Sequence, residues 1–449
     1  MSPGVDILVT HGTVLTMDGA GTRIDDGAVA VAGDRILAAA PAQHLAAVPA
    51  KKIIDAHGGI IMPGLVNAHT HAAMTCFRGL ADDLPLMTWL NDHIFPAESR
   101  LTEEMVHQGA LLGCAEMILS GTTCFCDMYL FADAVAQAAR TAGLRAVVGE
   151  VLFDFPSPNY GAPQDGLAYT RRMAERWAGD PLIGVAVEPH SPYLCAPELL
   201  CQAADLAREL QLPLVTHLAE TTGEVAQIRS RYGRTPVAHL AHLGILDPRL
   251  LACHCVRLTP EDIALLQAAD VKIVHNPESN MKLASGIAPV ADLLAAGLCV
   301  ALGTDGCASN NDLDLFLEMD TAAKLHKVAT LDPTALPAEQ VLKMATIDGA
   351  RALGLEAITG SLEPGKRADL IVIDCRKPHL TPLYHPASHL VYAARGGDVI
   401  HSLIAGRLVM KNRQLQTIDE AAVMGDMQAL GDRILQIRDT VRATKDNTP

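Results

Sequence analysis

Residues 60–71 read IIMPGLVNAHTH, an apolar run that ends in two histidines two positions apart. A short apolar run of this kind is typical of a strand buried on both faces, as in a parallel sheet. Residues two apart on an extended chain point to the same side. The stretch therefore predicts an α/β fold in which His69 and His71 follow the first strand and face one site.

The same pattern of an apolar run followed by a helical segment continues along the chain. The eight runs are 60–67, 122–127, 145–149, 183–187, 214–216, 250–253, 271–274 and 298–303. Helical candidates between them include 103–119, 132–142, 197–210 and 260–268. Eight parallel strands joined by helical crossovers close a (β/α)₈ TIM barrel. We therefore expect this barrel to form the centre of the protein.

Both ends of the chain have a different texture, with short β-branched runs separated by Asp-Gly and Gly-Gly turns. We expect the two ends to pair with each other as one small domain. The predicted units are a composite β-sandwich domain from 1–60 and 360–415, a (β/α)₈ barrel from 61–359, and a C-terminal helix and tail from 416–449.

Composition excludes several classes of protein. The apolar fraction of 49% and the charged fraction of 19% are those of a globular enzyme with a large core. The net charge of −16 argues against nucleic acid, whose phosphates require a basic surface. The most apolar segment, 287–302, is interrupted by Pro289, Asp292 and Gly297, so we expect no membrane association. Eleven scattered cysteines and no visible signal peptide predict a cytoplasmic protein with reduced thiols.

Side chains able to bind a metal follow six of the eight runs. They are His69, His71, His190, His217, His254, His275 and Asp305. The carboxyl ends of all barrel strands open onto one face, where active sites are built. Any one of these histidines alone indicates little. Their joint placement predicts that all seven side chains converge on a single site.

Four of these side chains form a plausible ligand set. His69 and His71 can bind one ion, while His217 adds a third nitrogen and Asp305 an oxygen. Three nitrogens and one carboxylate suit Zn²⁺ with a position left open for water. We expect one such ion per chain, and Fe²⁺ or Mn²⁺ stay open as alternatives.

The residues next to these ligands predict acid–base chemistry. Residues 217–220 read HLAE, so Glu220 can reach the reacting centre without binding the ion. Asp305 is positioned to accept a proton from water, and Glu220 to pass one to a ring nitrogen and then to departing ammonia. His254 can hydrogen-bond the attacking oxygen as charge develops.

Several motifs together resemble the amidohydrolase superfamily. They are PGLVNAHTH at 63–71, HLAE at 217–220, HC at 254–255, GTDG at 303–306 and GSLEPGKRADL at 360–370. More narrowly, the chain is similar to the 5′-methylthioadenosine/S-adenosylhomocysteine deaminases. The segments that carry this likeness are TWL at 88–90, IFPAE at 94–98, PHSPY at 189–193 and HNPESN at 275–280.

The resemblance implies a zinc-dependent deaminase of adenine nucleosides. It implies a metal held by His69, His71, His217 and Asp305, with Glu220, His254 and Asp305 catalytic. It also implies that Trp89, Glu98 and His190 bind substrate together with Glu220 and Asp305. Glu98 would accept hydrogen bonds from the ribose diol, and His190 would lie on the adenine side. A small nucleoside is then the expected partner, and a homo-oligomer is compatible with these features.

One departure from the family concerns the loop after the third run. Members that accept S-adenosylhomocysteine hold its carboxylate with arginines there, but residues 150–166 contain no Arg or Lys. Phe153, Phe155 and Tyr160 stand there instead and favour an apolar 5′ substituent. We therefore expect 5′-methylthioadenosine and adenosine to be preferred. Other hydrolyses of guanine-, pterin- or triazine-like rings stay open, as does a non-enzymatic scaffold.

Overall fold

A computed structural model describes residues 4–84 and 86–446. Its strands are β1 Val5–Leu15, β2 Arg23–Ala32, β3 Arg35–Pro41, β4 Ala50–Asp55, β5 Ile60–Pro63, β6 Leu65–His71, β7 Thr122–Tyr129, β8 Arg145–Leu152, β9 Ile183–Val185, β10 Glu188–Pro189, β11 Leu214–Leu218, β12 Leu250–His254, β13 Lys272–His275, β14 Val300–Leu302, β15 Asp305–Gly306, β16 Leu370–Ile373, β17 Val399–Ile404, β18 Arg407–Lys411 and β19 Gln414–Leu415.

The helices are α1 Ala42–Leu45, α2 Leu86–Trp89, α3 Phe95–Glu98, α4 Glu103–Leu119, α5 Ala132–Ala142, α6 Pro163–Trp177, α7 Pro197–Leu210, α8 Thr222–Tyr232, α9 Pro236–His242, α10 Pro260–Ala268, α11 Pro277–Lys282, α12 Val290–Ala295, α13 Leu315–Thr330, α14 Ala338–Met344, α15 Ile347–Ala352, α16 Pro386–Tyr392 and α17 Glu420–Asp446. Short 3₁₀ or π segments cover Ala72–Phe77, Leu90–Ile94, Pro378–Leu380 and Gly396–Asp398. Within residues 4–84 and 86–446, no helix combines the length and apolar character that a membrane span requires.

Helix ends follow local chemistry closely. The four helices predicted at 103–119, 132–142, 197–210 and 260–268 are confirmed with those bounds. Thr102 and Thr259 each accept a hydrogen bond from the first turn of the helix that follows. Gly143 ends α5 in the left-handed conformation that glycine adopts without steric cost.

The centre of the molecule is a TIM-barrel-like α/β fold. Its parallel strands form two ladders, β10-β8-β7-β6-β15 with β9 added to β8, and β11-β12-β13-β14. The predicted closed barrel is therefore not seen as one continuous ladder. The eighth predicted run, 298–303, contains only β14, which pairs with β13, whereas the separate short strand β15 that follows it pairs with β6. At the other junction, a single bridge joins Val187 to Leu214.

The first predicted strand, 60–67, is wrong as a single element. Gly64 separates β5 from β6, and a side chain at this position would clash with Thr123 at 2.1 Å. Strand β6 extends to residue 71, so His69 and His71 lie within the strand and do not follow it. The two histidines still alternate with Thr70 and share one face.

Strands from both ends of the chain form one nine-stranded sheet in the order β19-β18-β17-β16-β5-β1-β2-β3, with β4 paired to β1. A sandwich of two separate layers is not seen. Strand β1 explains this, because its first half pairs with β4 and its second half with β5. Bulges between Val9 and Val14 let this one long strand bend while it stays in the sheet.

Strand β16 lies between two hydrophobic cores. Ile371 and Ile373 belong to the large core that includes the barrel, whereas Leu370 and Val372 belong to the core of the terminal sheet. Alternate residues of a strand face opposite sides, so this strand is apolar throughout. Strand β16 of the terminal sheet therefore contributes side chains to both cores, and the sheet packs directly on the barrel.

A buried ion pair joins the barrel to the terminal sheet. Arg145, the first residue of β8, donates from Nε to Asp369 Oδ2 at 2.9 Å and from Nη2 to Asp369 Oδ1 at 3.2 Å. The side chains are 5% and 0% exposed. Asp369 also accepts a bond from the backbone N–H of Ala405, so its charge is compensated from two sides.

We expect Arg145→Leu to lower the free energy of unfolding by about 3–5 kcal/mol, because it leaves a buried carboxylate without its cation. Urea denaturation followed by circular dichroism measures the change. Arg171→Leu is the matched control, since the pair of Arg171 with Glu209 is 41% and 57% exposed. That control should cost less than about 1 kcal/mol. Equal losses in the two variants would contradict the role of the buried pair.

Candidate active site

Five of the predicted site residues lie at the carboxyl ends of barrel strands. His69 and His71 end β6, His217 is the fourth residue of β11, His254 ends β12, and Asp305 begins β15. Pairing of β15 with β6 sets Asp305 opposite Thr70, between the two histidines. Because parallel strands end on the same face, these side chains meet although up to 236 positions separate them along the chain.

The structure places His254 beside the four predicted ligands. The ligand atoms of His69, His217, His254 and Asp305 all lie within 4.8 Å of one another. His71 is adjacent, with Nε2 3.0 Å from Asp305 Oδ1 and its ring centroid 4.9 Å from that of His69. The four predicted ligands are therefore brought together, and His254 lies as close as any of them.

Three of the imidazoles are oriented by a hydrogen bond at Nδ1. His217 donates to the carbonyl of His190 at 2.8 Å, and His71 donates to the carbonyl of Met128. His254 donates to Oδ1 of Asn280 at 2.9 Å. A proton held at Nδ1 leaves Nε2 of a neutral ring free to bind an ion, as in metal-binding histidines.

His69 is the test of whether a metal fits. Its side chain is fully buried, and neither ring nitrogen has a hydrogen-bond partner among the described residues. A buried polar group left without a partner costs about 1–3 kcal/mol. Coordination of an ion by this ring removes that cost. The buried group of three histidines and an aspartate is therefore able to bind a metal.

Charge states in the group suit a cation. Burial lowers the pKa of His69 to about 4 and that of His217 well below its ordinary value, so both are neutral. Burial alone would raise the pKa of Asp305, but the adjacent imidazoles of His69 and His71 outweigh it and hold that pKa well below its usual range. Neutral imidazole and ionised carboxylate are the forms that bind a metal.

Two serines orient the carboxylate of Asp305. Ser279 and Ser309 donate to Oδ2 at 2.6 and 2.8 Å, whereas Oδ1 faces His69 and His71. Neither serine was predicted from the sequence as a functional residue. Ser279 lies in the HNPESN motif, which was a usable signal, but the sequence around Ser309 offers none.

Glu220 lies two residues beyond the end of β11 and is 6% exposed. Its Oε1 accepts a hydrogen bond from Ser285 at 3.3 Å. Burial raises the pKa of Glu220, although the charge of His254 lowers it. A carboxyl with a raised pKa can hold a proton near neutral pH, as a general acid must.

A pocket opens above the group of histidines. Its lining includes all of the predicted substrate residues, Trp89, Glu98, His190, Glu220 and Asp305. Tyr129, which the sequence analysis did not single out, also lines it. Glu98 is 9% exposed, and burial raises its pKa to about 7 even though Tyr129 lowers it. A donor such as a hydroxyl would stabilise its charged form.

One wall of the pocket is apolar. Leu130, Val151, Phe153 and Phe95 line it, and no Lys or Arg does so among the described residues. Phe155 stacks on Phe153 with ring centroids 4.5 Å apart.

Two arginines of α6, the helix that follows this loop, are held elsewhere. Arg171 makes two hydrogen bonds to Glu209, at 2.6 and 2.7 Å. Arg172 lies over the ring of Tyr169 at 5.8 Å. Neither side chain is part of the pocket lining.

The prediction that His275 joins the site is wrong. His275 is fully buried, and its Nε2 lies 3.0 Å from Nε2 of His326 on α13. Burial lowers the pKa of both rings, so the pair is neutral and shares one proton between the two nitrogens. As the last residue of β13, His275 points outward to the helix layer, and not inward.

Comparison with known proteins agrees with this arrangement. The amidohydrolase family model matches residues 60–409. A 5-methylthioadenosine/S-adenosylhomocysteine deaminase of Syntrophobacter fumaroxidans is 61% identical over 94% of this chain and 97% of the relative. A 5′-deoxyadenosine deaminase of Methanosarcina mazei is 45% identical over 96% of this chain and 98% of the relative.

A solved structure extends the comparison to three dimensions. An adenosine deaminase from Xanthomonas campestris with bound zinc has a TM-score of 0.95 and 41% identity, covering 97% of this chain and 100% of that one. The family match spans most of the sequence, and the likeness to these relatives spans nearly all of it. The chain belongs to the amidohydrolase family.

Proposed function

We propose that the protein hydrolyses the exocyclic amino group of adenine nucleosides, yielding the inosine analogue and ammonia. The observation that carries this proposal is one pocket in which Glu220, Glu98 and an apolar wall surround a buried group of three histidines and an aspartate. The names of the relatives at 61% and 45% identity support the reaction class. A screen with adenosine, 5′-methylthioadenosine, guanine and melamine tests it against the guanine- and triazine-type alternatives.

In this proposal His69, His71, His217 and Asp305 hold one Zn²⁺. When bound, the ion supplies a Lewis acid that lowers the pKa of water to about 7. Two contacts of His71 support its place among the ligands. Its Nδ1 bonds the carbonyl of Met128, and its Nε2 lies 3.0 Å from Asp305 Oδ1. His254 is then left to hydrogen-bond the attacking oxygen through Nε2.

The chain's own groups handle the protons. Asp305 accepts the proton of the attacking water through Oδ1, because Oδ2 is already occupied by two hydroxyl donors. Glu220 delivers its proton to the ring nitrogen next to C6, takes up the proton of the hydroxyl added at C6, and passes that proton to the departing amine. The proton held by Asp305 then returns to Glu220 and restores both groups. The raised pKa of Glu220 supports its entry into the cycle in the protonated form.

Substrate binding in this proposal divides between two ends of the pocket. His190 and Trp89 contact the base, and Glu98 accepts hydrogen bonds from both hydroxyls of the ribose diol. The apolar wall around Phe153 receives the 5′ substituent. A free carboxylate there would lack a cationic partner, which costs several kcal/mol.

We propose further that residues 1–60 and 360–415 act as one composite domain on the barrel of 61–359, followed by the helix and tail of 416–449. The alternation of β16 between two cores and the Arg145–Asp369 pair support this division.

We also propose a cytoplasmic location. Eleven cysteines without a disulfide among the described residues support it.

Metal content is the first prediction from this proposal. His69→Ala and His217→Ala should each lose the ion and activity while the circular dichroism spectrum persists. Elemental analysis of His71→Ala beside His254→Ala decides the fourth ligand. We expect His71→Ala to lose the ion and His254→Ala to retain it with kcat reduced. The reverse result would assign His254, and not His71, to the metal.

Glu220→Gln should retain the metal but lower kcat by roughly 10²-fold or more, since it removes general acid–base catalysis. Steady-state ammonia release with elemental analysis measures both quantities. Glu198→Gln, an exposed acid in the first turn of α7, is the control and should leave kcat unchanged. Loss of metal from Glu220→Gln would indicate a ligand, and normal turnover would remove Glu220 from the mechanism.

Substrate preference follows from the apolar wall. 5′-Methylthioadenosine should have the highest kcat/KM, followed by adenosine. S-adenosylhomocysteine should trail by roughly tenfold or more, equivalent to about 1.4 kcal/mol. 2′-Deoxyadenosine should also have a low kcat/KM, because Glu98 loses one hydroxyl.

Phe155→Arg adds a cation at this wall and should narrow the difference in kcat/KM between S-adenosylhomocysteine and 5′-methylthioadenosine. Equal rates for the two sulfur nucleosides in the unaltered enzyme would contradict this interpretation of the wall.

A further inference from the structure

Two helices that open neighbouring βα units begin with the same pattern, a threonine followed three residues later by an acid. Thr221 and Glu224 begin α8, and Thr259 and Asp262 begin α10. In each case the threonine hydroxyl accepts a hydrogen bond at 3.2 Å from the backbone N–H of the acid. This is half of a capping box.

The two acids use their carboxylates differently. Asp262 completes the capping box, because its Oδ2 accepts from the backbone N–H of Thr259 at 2.9 Å. Glu224 reaches past its own threonine, so that Oε1 accepts from Ala219 N–H at 2.9 Å and Oε2 from Glu220 N–H at 2.7 Å. The additional methylene of glutamate supplies this reach.

The backbone held by Glu224 is strained. Ala219 has φ of +53°, a left-handed conformation that residues with a Cβ rarely adopt. Such a conformation persists where its surroundings hold it, and it is common at functional sites. Glu224 is 4% exposed, so its two bonds are made away from bulk water. They fix the turn by which the chain leaves β11 and enters Glu220.

We propose that Glu224 is a positioning residue, which holds the backbone of Glu220 so that this carboxyl reaches the reacting centre. The inference rests on the proposed role of Glu220 in deamination. Ser285 holds the side chain of Glu220 from the other direction, at Oε1. Glu224 itself does not line the cavity, and both of its carboxylate oxygens bond main-chain N–H groups, so it acts on Glu220 through the main chain.

The decisive variant is Glu224→Asp, which retains the charge but is one methylene shorter. Aspartate should form an ordinary capping box with Thr221 and release Ala219 and Glu220, as Asp262 does in α10. We expect kcat for 5′-methylthioadenosine to fall about ten- to a hundredfold, the cost of a reacting group misplaced by about 1 Å. KM, metal content and Tm should stay near those of the unaltered protein.

Asp262→Asn is the matched control, since it alters a buried acid at the equivalent position of a helix outside the site. It should lower Tm and leave kcat and KM unchanged. A merely structural role for Glu224 predicts the same result for Glu224→Asp. If Glu224→Asp does not fold, Glu224→Gln replaces it, because glutamine has the full reach but only one acceptor oxygen. Glu224→Gln should lower kcat, because it can accept only one of the two backbone hydrogen bonds that Glu224 accepts.

Amide hydrogen exchange gives a readout that does not depend on catalysis. Mass spectrometry of a peptide spanning 218–222 should show faster exchange in Glu224→Asp and no change in Asp262→Asn. Unaltered exchange and unaltered kcat in Glu224→Asp would overturn the inference. Failure of the unaltered protein to deaminate any nucleoside would instead overturn the proposed function, and the exchange result would still decide whether Glu224 holds the turn.

Discussion

The buried carboxylate of Asp305 is the interaction on which the rest of the site depends. A charge that is only 8% exposed must be compensated locally, because transfer from water into a protein interior is costly. His71 supplies that compensation at Oδ1, from which its Nε2 lies 3.0 Å, and Ser279 and Ser309 supply it at Oδ2. Helix α11 carries Ser279 and the turn after β15 carries Ser309, so these two elements bring the hydroxyls to one oxygen. Because both hydroxyls bond Oδ2, Oδ1 is left facing the imidazoles.

Left-handed backbone occurs at the points where several functional side chains leave their strands. Ala219, His254, Cys255 and Asp305 all have positive φ, between +49° and +72°, although none is glycine. Main-chain bonds hold these residues, as from Cys255 N–H to the carbonyl of Leu218 at 3.0 Å. A sharp change of direction at a strand end turns side chains toward the barrel axis, which a continued strand would not do. Stability is given up there for orientation, as at many functional sites.

The opposite end of the barrel serves packing. Arg145 begins its strand at the amino end, and its contact with Asp369 joins the barrel to the terminal sheet far from the histidines. The alternation of β16 between two cores joins them a second time. This separation lets loops at the carboxyl end vary in sequence while the amino end keeps the barrel rigid.

The sequence by itself determined the local elements and most of the participants. Apolar runs and turn residues predicted the helices at 103–119 and 260–268 with their observed ends, because capping and periodicity act over a few residues. The order of histidines along the runs predicted that His69, His217, His254 and Asp305 converge, since parallel strands share one open face.

Only the tertiary structure decided what each side chain contacts. It excluded His275, which pairs with His326, and it divided the first run at Gly64. It also revealed Ser309, Asn280 and Glu224, whose partners are distant in sequence or on the main chain. Periodicity fixes which face a residue takes, but a hydrogen bond depends on atomic distances between segments that only the packed fold brings together.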